Sequence, residues 1–186
     1  LEKGTFTIAF AGHFSAGKSS MINALVDEQI LPTSPIPTSA NIVTVQNTAG
    51  NYALVHFVDQ PPVRFSGEYD IQLVKKYSKD GSKVSQIEIG HAGSNLPEGI
   101  TIMDTPGVDS TDDAHRVSTE SALHLADIVF YVMDYNHVQS ELNFQFTKQL
   151  LHYNENVYLI VNQVDKHREE ELPFAAYKQS VTDAFK

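Results

Sequence analysis

The amino-acid sequence predicts an α/β fold built on a mostly parallel central sheet with helices on both faces. The first observation is that apolar, β-rich runs alternate along the chain with segments of helical periodicity, the order typical of strands joined by helical crossovers. The second is that short polar motifs follow three of these runs. Because ligands of such sheets bind outside the carboxyl ends of the strands, the motifs predict one shared site. The 186 residues, 41% of them hydrophobic, suffice for one domain with a substantial core.

The N-terminal half begins with a predicted buried strand over residues 5–12, a glycine-rich loop and a helix over Lys18–Val26 with apolar residues at helical spacing. Residues 41–47 and 51–59 are β-rich runs separated by three residues, and we interpret them as the two strands of a hairpin. The other predicted elements of this half are a proline-rich loop and a helix, over residues 30–41 and 67–79.

The C-terminal half alternates four predicted strands with helices. The strands are apolar runs at residues 84–90, 99–107, 127–134 and 157–165. A helix is predicted near residues 117–126, and Leu142, Phe146 and Leu150 mark the buried stripe of the next one. The last helix is predicted over residues 169–186, with Pro173 near its start.

Composition and charge argue against several classes of function. The 13 Lys and Arg residues face 23 Asp and Glu residues, a formal net charge of −10, which disfavours binding of nucleic acid or of an anionic membrane by the overall field of the domain. The absence of cysteine excludes disulfides and thiolate metal sites and agrees with a reducing, cytoplasmic compartment. The eight histidines lack the spacing of zinc ligands, and no apolar run is long enough to span a membrane.

The stretch "GHFSAGKS" has the Gly-x-x-x-x-Gly-Lys-Ser pattern of a phosphate-binding loop. Backbone N–H groups and the positive end of the following helix suit oxygen anions, Lys18 adds a charge for the outer phosphates, and the Ser19 hydroxyl completes a Mg²⁺ shell. A plain glycine-rich turn with a capping serine is the alternative, which the strand–loop–helix context disfavours. Nucleotide contacts are predicted for Gly12, His13, Phe14, Ser15, Ala16, Gly17, Lys18, Ser19 and Ser20.

The motif "DTPG" ends a predicted strand at Asp104. A carboxylate there can hold Mg²⁺ through water, and the Gly107 N–H can meet a γ-phosphate. Asp-Thr-Pro-Gly alone is a common turn composition, so the functional interpretation depends on the upstream loop. We expect the Asp104 strand to lie beside the strand of that loop.

The motif "NQVDK" closes the last predicted strand with Asn162, Gln163, Asp165 and Lys166. The Asp165 carboxylate can accept hydrogen bonds from the N1–H and 2-amino groups of guanine, a donor pair that adenine lacks. This residue therefore favours GTP or GDP and disfavours the alternative of an ATP-binding module. Gln163 stands where GTPases usually carry a lysine whose stem covers the base, which is expected to alter base affinity.

Together these motifs resemble the dynamin superfamily, more closely its bacterial dynamin-like and mitofusin-like branch. The features that carry the resemblance are "GHFSAGKSSMINAL", "LPTSPIPTSA", "DTPGVD", "ADIVFYV" and "NQVDK". Lys18 and Asp104 are about twice as far apart as in small GTPases, which resembles the insertion of dynamin-type enzymes. The resemblance implies a P-loop GTPase fold, hydrolysis of GTP to GDP and phosphate, and a nucleotide-dependent homodimer. It also implies membrane remodelling (fusion, fission or tethering) by regions of a parent protein that is peripheral at the cytoplasmic face of a membrane.

The resemblance also assigns roles to side chains. It makes Thr38 the switch threonine that ligates Mg²⁺ with Ser19 and Asp104, with Thr33 as the rival, and it places Ser15 near a charge-compensating K⁺ or Na⁺. Val108 replaces the water-orienting glutamine of Ras-like enzymes, and Phe14 replaces the loop glutamine of dynamins. His13 is then the nearest polar side chain, either a catalytic contributor beside Lys18, Thr38 and Ser15 or simply exposed.

Two further expectations concern the organisation of the parent protein. Residues 1–186 are expected to be a single GTPase domain excised from a longer chain and lacking the final strand and last base-contacting loop, which predicts an unpaired sheet edge at residues 157–161. The alternative function is an Era-like regulatory switch that controls partner binding or ribosome assembly. Such proteins carry a basic RNA-binding extension, whereas this sequence has no basic region.

Overall fold

One eight-stranded sheet organises the residues that the computed structural model describes, which are 4–27, 41–66, 83–106 and 113–186. The strands are β1 Phe6–Gly12, β2 Ile42–Asn47, β3 Tyr52–Phe57, β4 Val63–Ser66, β5 Val84–His91, β6 Ile100–Asp104, β7 Ile128–Asp134 and β8 Val157–Asn162. The described helices are α1 Lys18–Val26, α2 Asp113–Leu125, α3 Glu141–Tyr153 and α4 Phe174–Ala184. The proline-rich loop and the helix predicted at 67–79 lie outside the described residues.

The strand order is β4-β3-β5-β2-β6-β1-β7-β8. The parallel pairs are β1–β6, β1–β7, β2–β5 and β7–β8, and the antiparallel pairs are β2–β6, β3–β4 and β3–β5. The sheet is therefore mixed, with parallel pairing around β1, and the strand that ends at Asp104 lies directly beside β1 as expected. The carboxyl ends of β1, β6 and β8 carry the three predicted motifs to the same edge of the sheet.

The hairpin predicted from residues 41–47 and 51–59 is wrong, because β5 lies between β2 and β3. The chain crosses the end of β5, where the Thr48 amide donates to the His91 carbonyl at 3.4 Å and Asn51 Oδ1 accepts from the Ala92 amide at 2.7 Å. Gly90 makes this crossing possible, because a Cβ there would lie 2.1 Å from the Tyr52 ring. The hairpin that the structure contains is β3–β4.

One strand was not predicted, and the starts of two helices differ from the prediction. Strand β4 was not predicted because it has only four residues and is largely exposed, so it carries little hydrophobic pattern. Helix α4 begins at Phe174 and not at residue 169, since Pro173 disfavours helical backbone in the residue before it. Helix α2 begins four residues earlier than predicted.

Helices cover both faces of the sheet, as predicted. The alternation of β1 divides the core, with Phe10 on the face that packs against Ile22 and Val26 of α1. Ala9 and Ala11 belong to the opposite face, where the packed helical residues include Leu123 of α2 and Leu150 of α3. The small alanines leave room on that face for Tyr131, which is fully buried and donates its hydroxyl to Asn143 Oδ1 at 2.7 Å.

Strand β8 forms one edge of the sheet within the described residues, which confirms the predicted unpaired edge. Tyr158 is 55% exposed there and Leu159 36%. Of the helices in the described part of the chain, none combines the length and the apolar character that crossing a membrane requires.

Candidate nucleotide-binding site

The phosphate loop joins β1 to α1 through two glycines with special roles. A Cβ on Gly12 would lie 2.2 Å from the Val132 carbonyl of β7, so only glycine permits this close approach. Residues Phe14–Ala16 form a single 3₁₀ turn, and Gly17 follows with a φ of 88°. This left-handed residue turns the chain into α1 and aims the helix N-terminus at the space under the loop.

Lys18 holds its ammonium group inside this loop. The side chain is only 5% exposed, and Nζ donates to the Gly12 carbonyl at 3.0 Å and to the His13 carbonyl at 3.3 Å. A buried positive charge beside the first amides of α1 makes the loop interior favourable for anions. This geometry is suited to hold a phosphate group, which is the role that the sequence pattern predicts for the loop.

Ser19 and Asp104 meet although they lie far apart in the sequence. Ser19 Oγ donates to Asp104 Oδ2 at 3.1 Å, and the carboxylate is buried at the end of β6. Thr105 fixes the chain just after it, since both its amide and its hydroxyl donate to the Phe10 carbonyl at 3.2 and 2.8 Å. A hydroxyl and a carboxylate are the hard oxygen ligands that Mg²⁺ prefers, so this pair fits the ion.

The base motif at the end of β8 also reaches the phosphate loop. Asn162 Nδ2 donates to the Ala16 carbonyl at 2.9 Å, and Gln163 Nε2 donates to the Ser15 carbonyl at 3.0 Å. A Cβ on Gly17 would lie 2.6 Å from Asn162 Nδ2. The positive φ of Gly17 therefore favours glycine, and a Cβ there would also displace the Asn162 amide.

Asp165 lies in the middle of the short 3₁₀ turn Val164–Lys166. Its side chain is exposed at the same sheet edge as the phosphate loop. Lys166 closes the turn by donating its ammonium to Gln163 Oε1. The predicted base-selecting carboxylate is thus accessible to a ligand.

His13 and Ser15 form a small unit at the start of the phosphate loop. The His13 ring caps the 3₁₀ turn, with Nδ1 accepting from the Ser15 amide at 3.3 Å and lying 2.8 Å from Ser15 Oγ. His13 is only partly exposed, whereas Ser15 is exposed. His13 is therefore more than an exposed side chain, because it stabilises the 3₁₀ turn of the loop.

Several predicted site residues cannot be placed by this structure. Thr38, its rival Thr33, Gly107 and Val108 lie outside the described residues. The backbone of Phe14 begins the 3₁₀ turn, and Ser20 is exposed in the first turn of α1. The described residues hold no group of three or more histidine, aspartate or glutamate side chains that could bind a metal ion. The Ser19–Asp104 pair is therefore a candidate Mg²⁺ site that phosphate oxygens would complete.

A polar and aromatic cluster beside the base motif was not predicted. Asp134 ends β7, and its carboxylate lies 2.5 Å from His137 Nδ1. Burial raises the pKa of Asp134, but hydrogen bonds from His137 and from the Asn136 amide outweigh it and hold the pKa below the usual value. Burial also raises the pKa of Tyr177, with the nearby Tyr135 and Asp134 adding to the effect. An aspartate at the carboxyl end of a buried strand was the available signal.

A comparison with models of protein families finds the dynamin family over residues 8–165, from β1 to Asp165. The chain belongs to the dynamin family. It is a GTPase domain of the dynamin family, and the resemblance inferred from the motifs is confirmed. This dynamin-family domain is 47% identical over 176 residues to Dynamin-like protein A of Bacillus subtilis strain 168. The match covers 95% of this chain and 15% of that protein.

Solved structures agree with the fold of this dynamin-family domain. An oligomerised bacterial dynamin pair, described as providing a mechanism for long-range sensing and tethering of membranes, matches 98% of this chain and 31% of its own, with a TM-score of 0.76 and 20% identity. The complex of Era with MgGDPNP and a 16S ribosomal RNA segment matches less well, with a TM-score of 0.55, 13% identity, and 97% and 48% coverage. The chain spans less than one third of the length of Dynamin-like protein A and of the bacterial dynamin in the solved pair.

Proposed function

We propose that this domain binds GTP with Mg²⁺, hydrolyses it to GDP and phosphate, and couples that cycle through dimerisation to membrane remodelling by its parent protein. The observation that carries the proposal is the convergence of three motifs on one edge of the sheet. Ser19 contacts Asp104, and Asn162 contacts the phosphate loop. These contacts support one continuous site for the phosphates, the metal ion and the base.

The phosphate and metal functions rest on the buried side chains. Lys18 and the first amides of α1 would bind the β- and γ-phosphates, and Ser19 with Asp104 would hold Mg²⁺, completed by Thr38 as the resemblance implies. The ion supplies charge compensation for the phosphate oxygens during transfer. Loop carbonyls hold the Lys18 ammonium in place before any anion arrives, which lowers the reorganisation needed on binding.

Base selection in this proposal depends on Asp165. Its exposed carboxylate, on a turn next to the phosphate loop, can accept the two donors of the guanine edge. Adenine offers no matching pair of donors. The expected ligands are therefore GTP and GDP.

Catalysis by this domain is proposed to depend on dimerisation. No water-orienting glutamine follows the "DTPG" motif, since Val108 is apolar. A second GTPase domain facing the nucleotide would exclude water and position the groups around the γ-phosphate. The exposed Ser15 hydroxyl, which is hydrogen-bonded to His13 Nδ1, is the proposed ligand for K⁺ or Na⁺. Membrane contact is assigned to regions of the parent protein beyond this domain, at the cytoplasmic face.

The experiment is a titration of a fluorescent GTP analogue with Mg²⁺ into the wild-type chain, Lys18→Ala and the control Lys148→Gln, an exposed lysine of α3. Loss of the charge partner of the phosphates is expected to weaken binding by about 100-fold or more, with Lys148→Gln unchanged. Unlabelled GTP is expected to displace the probe and ATP to fail. Unchanged affinity in Lys18→Ala, or equal competition by ATP, would contradict the proposal.

A further inference from the structure

We infer that Gln163 and Lys166 act together as one positioning unit, in which Lys166 provides from three residues later the positive charge that GTPases usually carry at position 163. The inference rests on the proposed function and deepens it at the base-binding end. The unit joins the base-selecting turn to the phosphate loop. Neither residue is assigned a chemical step.

The first support is the backbone at Gln163. Its φ of 62° and ψ of 35° lie in the left-handed region, which side chains longer than asparagine rarely adopt. Such a conformation persists when surrounding contacts stabilise it. The contact present is the Gln163 Nε2 hydrogen bond to the Ser15 carbonyl at 3.0 Å.

The second support is what that hydrogen bond does to the phosphate loop. A peptide unit is planar, so fixing the Ser15 carbonyl also fixes the direction of the Ala16 N–H. Asn162 fixes the next unit in the same way through the Ala16 carbonyl at 2.9 Å, and with it the Gly17 N–H. Two neighbouring side chains of the base motif therefore orient two successive peptides of the loop.

The third support is the use of both ends of the Gln163 amide. Nε2 donates to Ser15, while Oε1 accepts from the Lys166 ammonium. A cation on the carbonyl end polarises an amide and strengthens its N–H as a donor. Lys166 thus supports the Gln163–Ser15 contact and places a positive charge at the base motif.

The far end of the turn is fixed by His167. Its side chain is 10% exposed and packs edge-on against Tyr135 and Phe174, with Tyr135 Oη 2.7 Å from Nδ1. The turn that carries Asp165 is therefore held at one end by the phosphate loop and at the other by the packing of His167 against Tyr135 and Phe174. Loss of Gln163 would release only the first of these ends.

The test compares Gln163→Leu, Lys166→Gln, their double variant, and the transposed variant Gln163→Lys/Lys166→Gln, with Lys148→Gln as the matched control. Affinity for a fluorescent GDP analogue is measured with Mg²⁺, and amide exchange of residues 13–17 is measured without nucleotide. We expect about tenfold weaker binding for Gln163→Leu and about threefold for Lys166→Gln, in keeping with loss of one hydrogen bond each. The double variant should be no weaker than Gln163→Leu.

The transposed variant is decisive, because a lysine at position 163 can restore both the charge and the contact. It is expected to bind as tightly as wild type, whereas a role of Lys166 that does not act through residue 163 would leave it about threefold weaker, like Lys166→Gln. Faster exchange in the loop of nucleotide-free Gln163→Leu is also expected. Additive losses, no rescue, or unchanged exchange would overturn the inference, while a wild-type chain that binds no guanine nucleotide would instead contradict the proposed function.

Discussion

Individual side chains at this site have separable tasks. Lys18 is buried inside the phosphate loop, whereas Asp165 is exposed on its turn. The first is suited to bind phosphate charge in any nucleotide, and the second to read only the edge of the base. Substitutions at the two positions should therefore produce different failures, one of affinity and one of specificity.

Changing Asp165 to asparagine is expected to exchange guanine for xanthine specificity. The amide replaces one acceptor by a donor, which repels the 2-amino group of guanine and matches the 2-oxo group of xanthine. Competition titrations should show GTP about 100-fold weaker and XTP improved by a similar factor. Loss of both nucleotides alike would mean that Asp165 supports the fold rather than the base.

The loop between β1 and α1 is the element on which all three motifs depend. Gly12 and Gly17 adopt backbone angles and approaches that a side chain would block, and Asn162 and Gln163 secure the turn between these glycines. The loop therefore contacts β7 through Gly12 and the end of β8 through Asn162 and Gln163, and it is more than a local turn.

Replacement of Gly17 by alanine is expected to destabilise the contact between the phosphate loop and the base motif. The positive φ and the 2.6 Å approach to Asn162 both oppose a Cβ, and a loss of about 1–3 kcal/mol in the free energy of unfolding is expected. Gly50→Ala is the control, because no atom lies within 4 Å of the added Cβ there. Urea unfolding of both variants measures the difference, and equal stability would show that the base motif moves freely away from the loop.

The candidate site motifs lie at the carboxyl ends of the strands, on one edge of the sheet, and β8 is the exposed outer strand of the sheet within the described residues. The phosphate loop, the Ser19–Asp104 pair and the Asp165 turn all open toward that edge. A second domain facing this edge would cover the nucleotide.

GTP turnover per domain is accordingly expected to rise with protein concentration, by about tenfold or more over a wide dilution series, because the proposed pairing would exclude water from the bound nucleotide. Activity is also expected to be higher in K⁺ or Na⁺ than in choline if Ser15 holds a monovalent cation. Phosphate release measured in each salt across the series tests both points. A rate per domain that is independent of concentration would favour a monomeric switch.

Much of the candidate site was predictable because it depends on short-range pattern. The strand–loop–helix context, the glycines and the "GKS" ending specify the backbone of the phosphate loop within a few residues, and the alternation of strands and helices specifies a sheet with helices on both faces. Asp104 and Asp165 could be placed at strand ends on the same grounds. Each of these inferences uses the conformational preferences of neighbouring residues.

Only the tertiary structure decided which distant groups meet. Residues 41–59 contain two good strands and a short connection, yet β5 separates them, and Gly90 of β5 leaves space for the ring of Tyr52, its partner in β3. Likewise, the contact of Gln163 with Ser15 depends on a left-handed backbone and on the seating of β8 beside β7. Strand partners and long-range hydrogen bonds are selected by packing among many residues, so local sequence carries the elements while the packed core determines their neighbours.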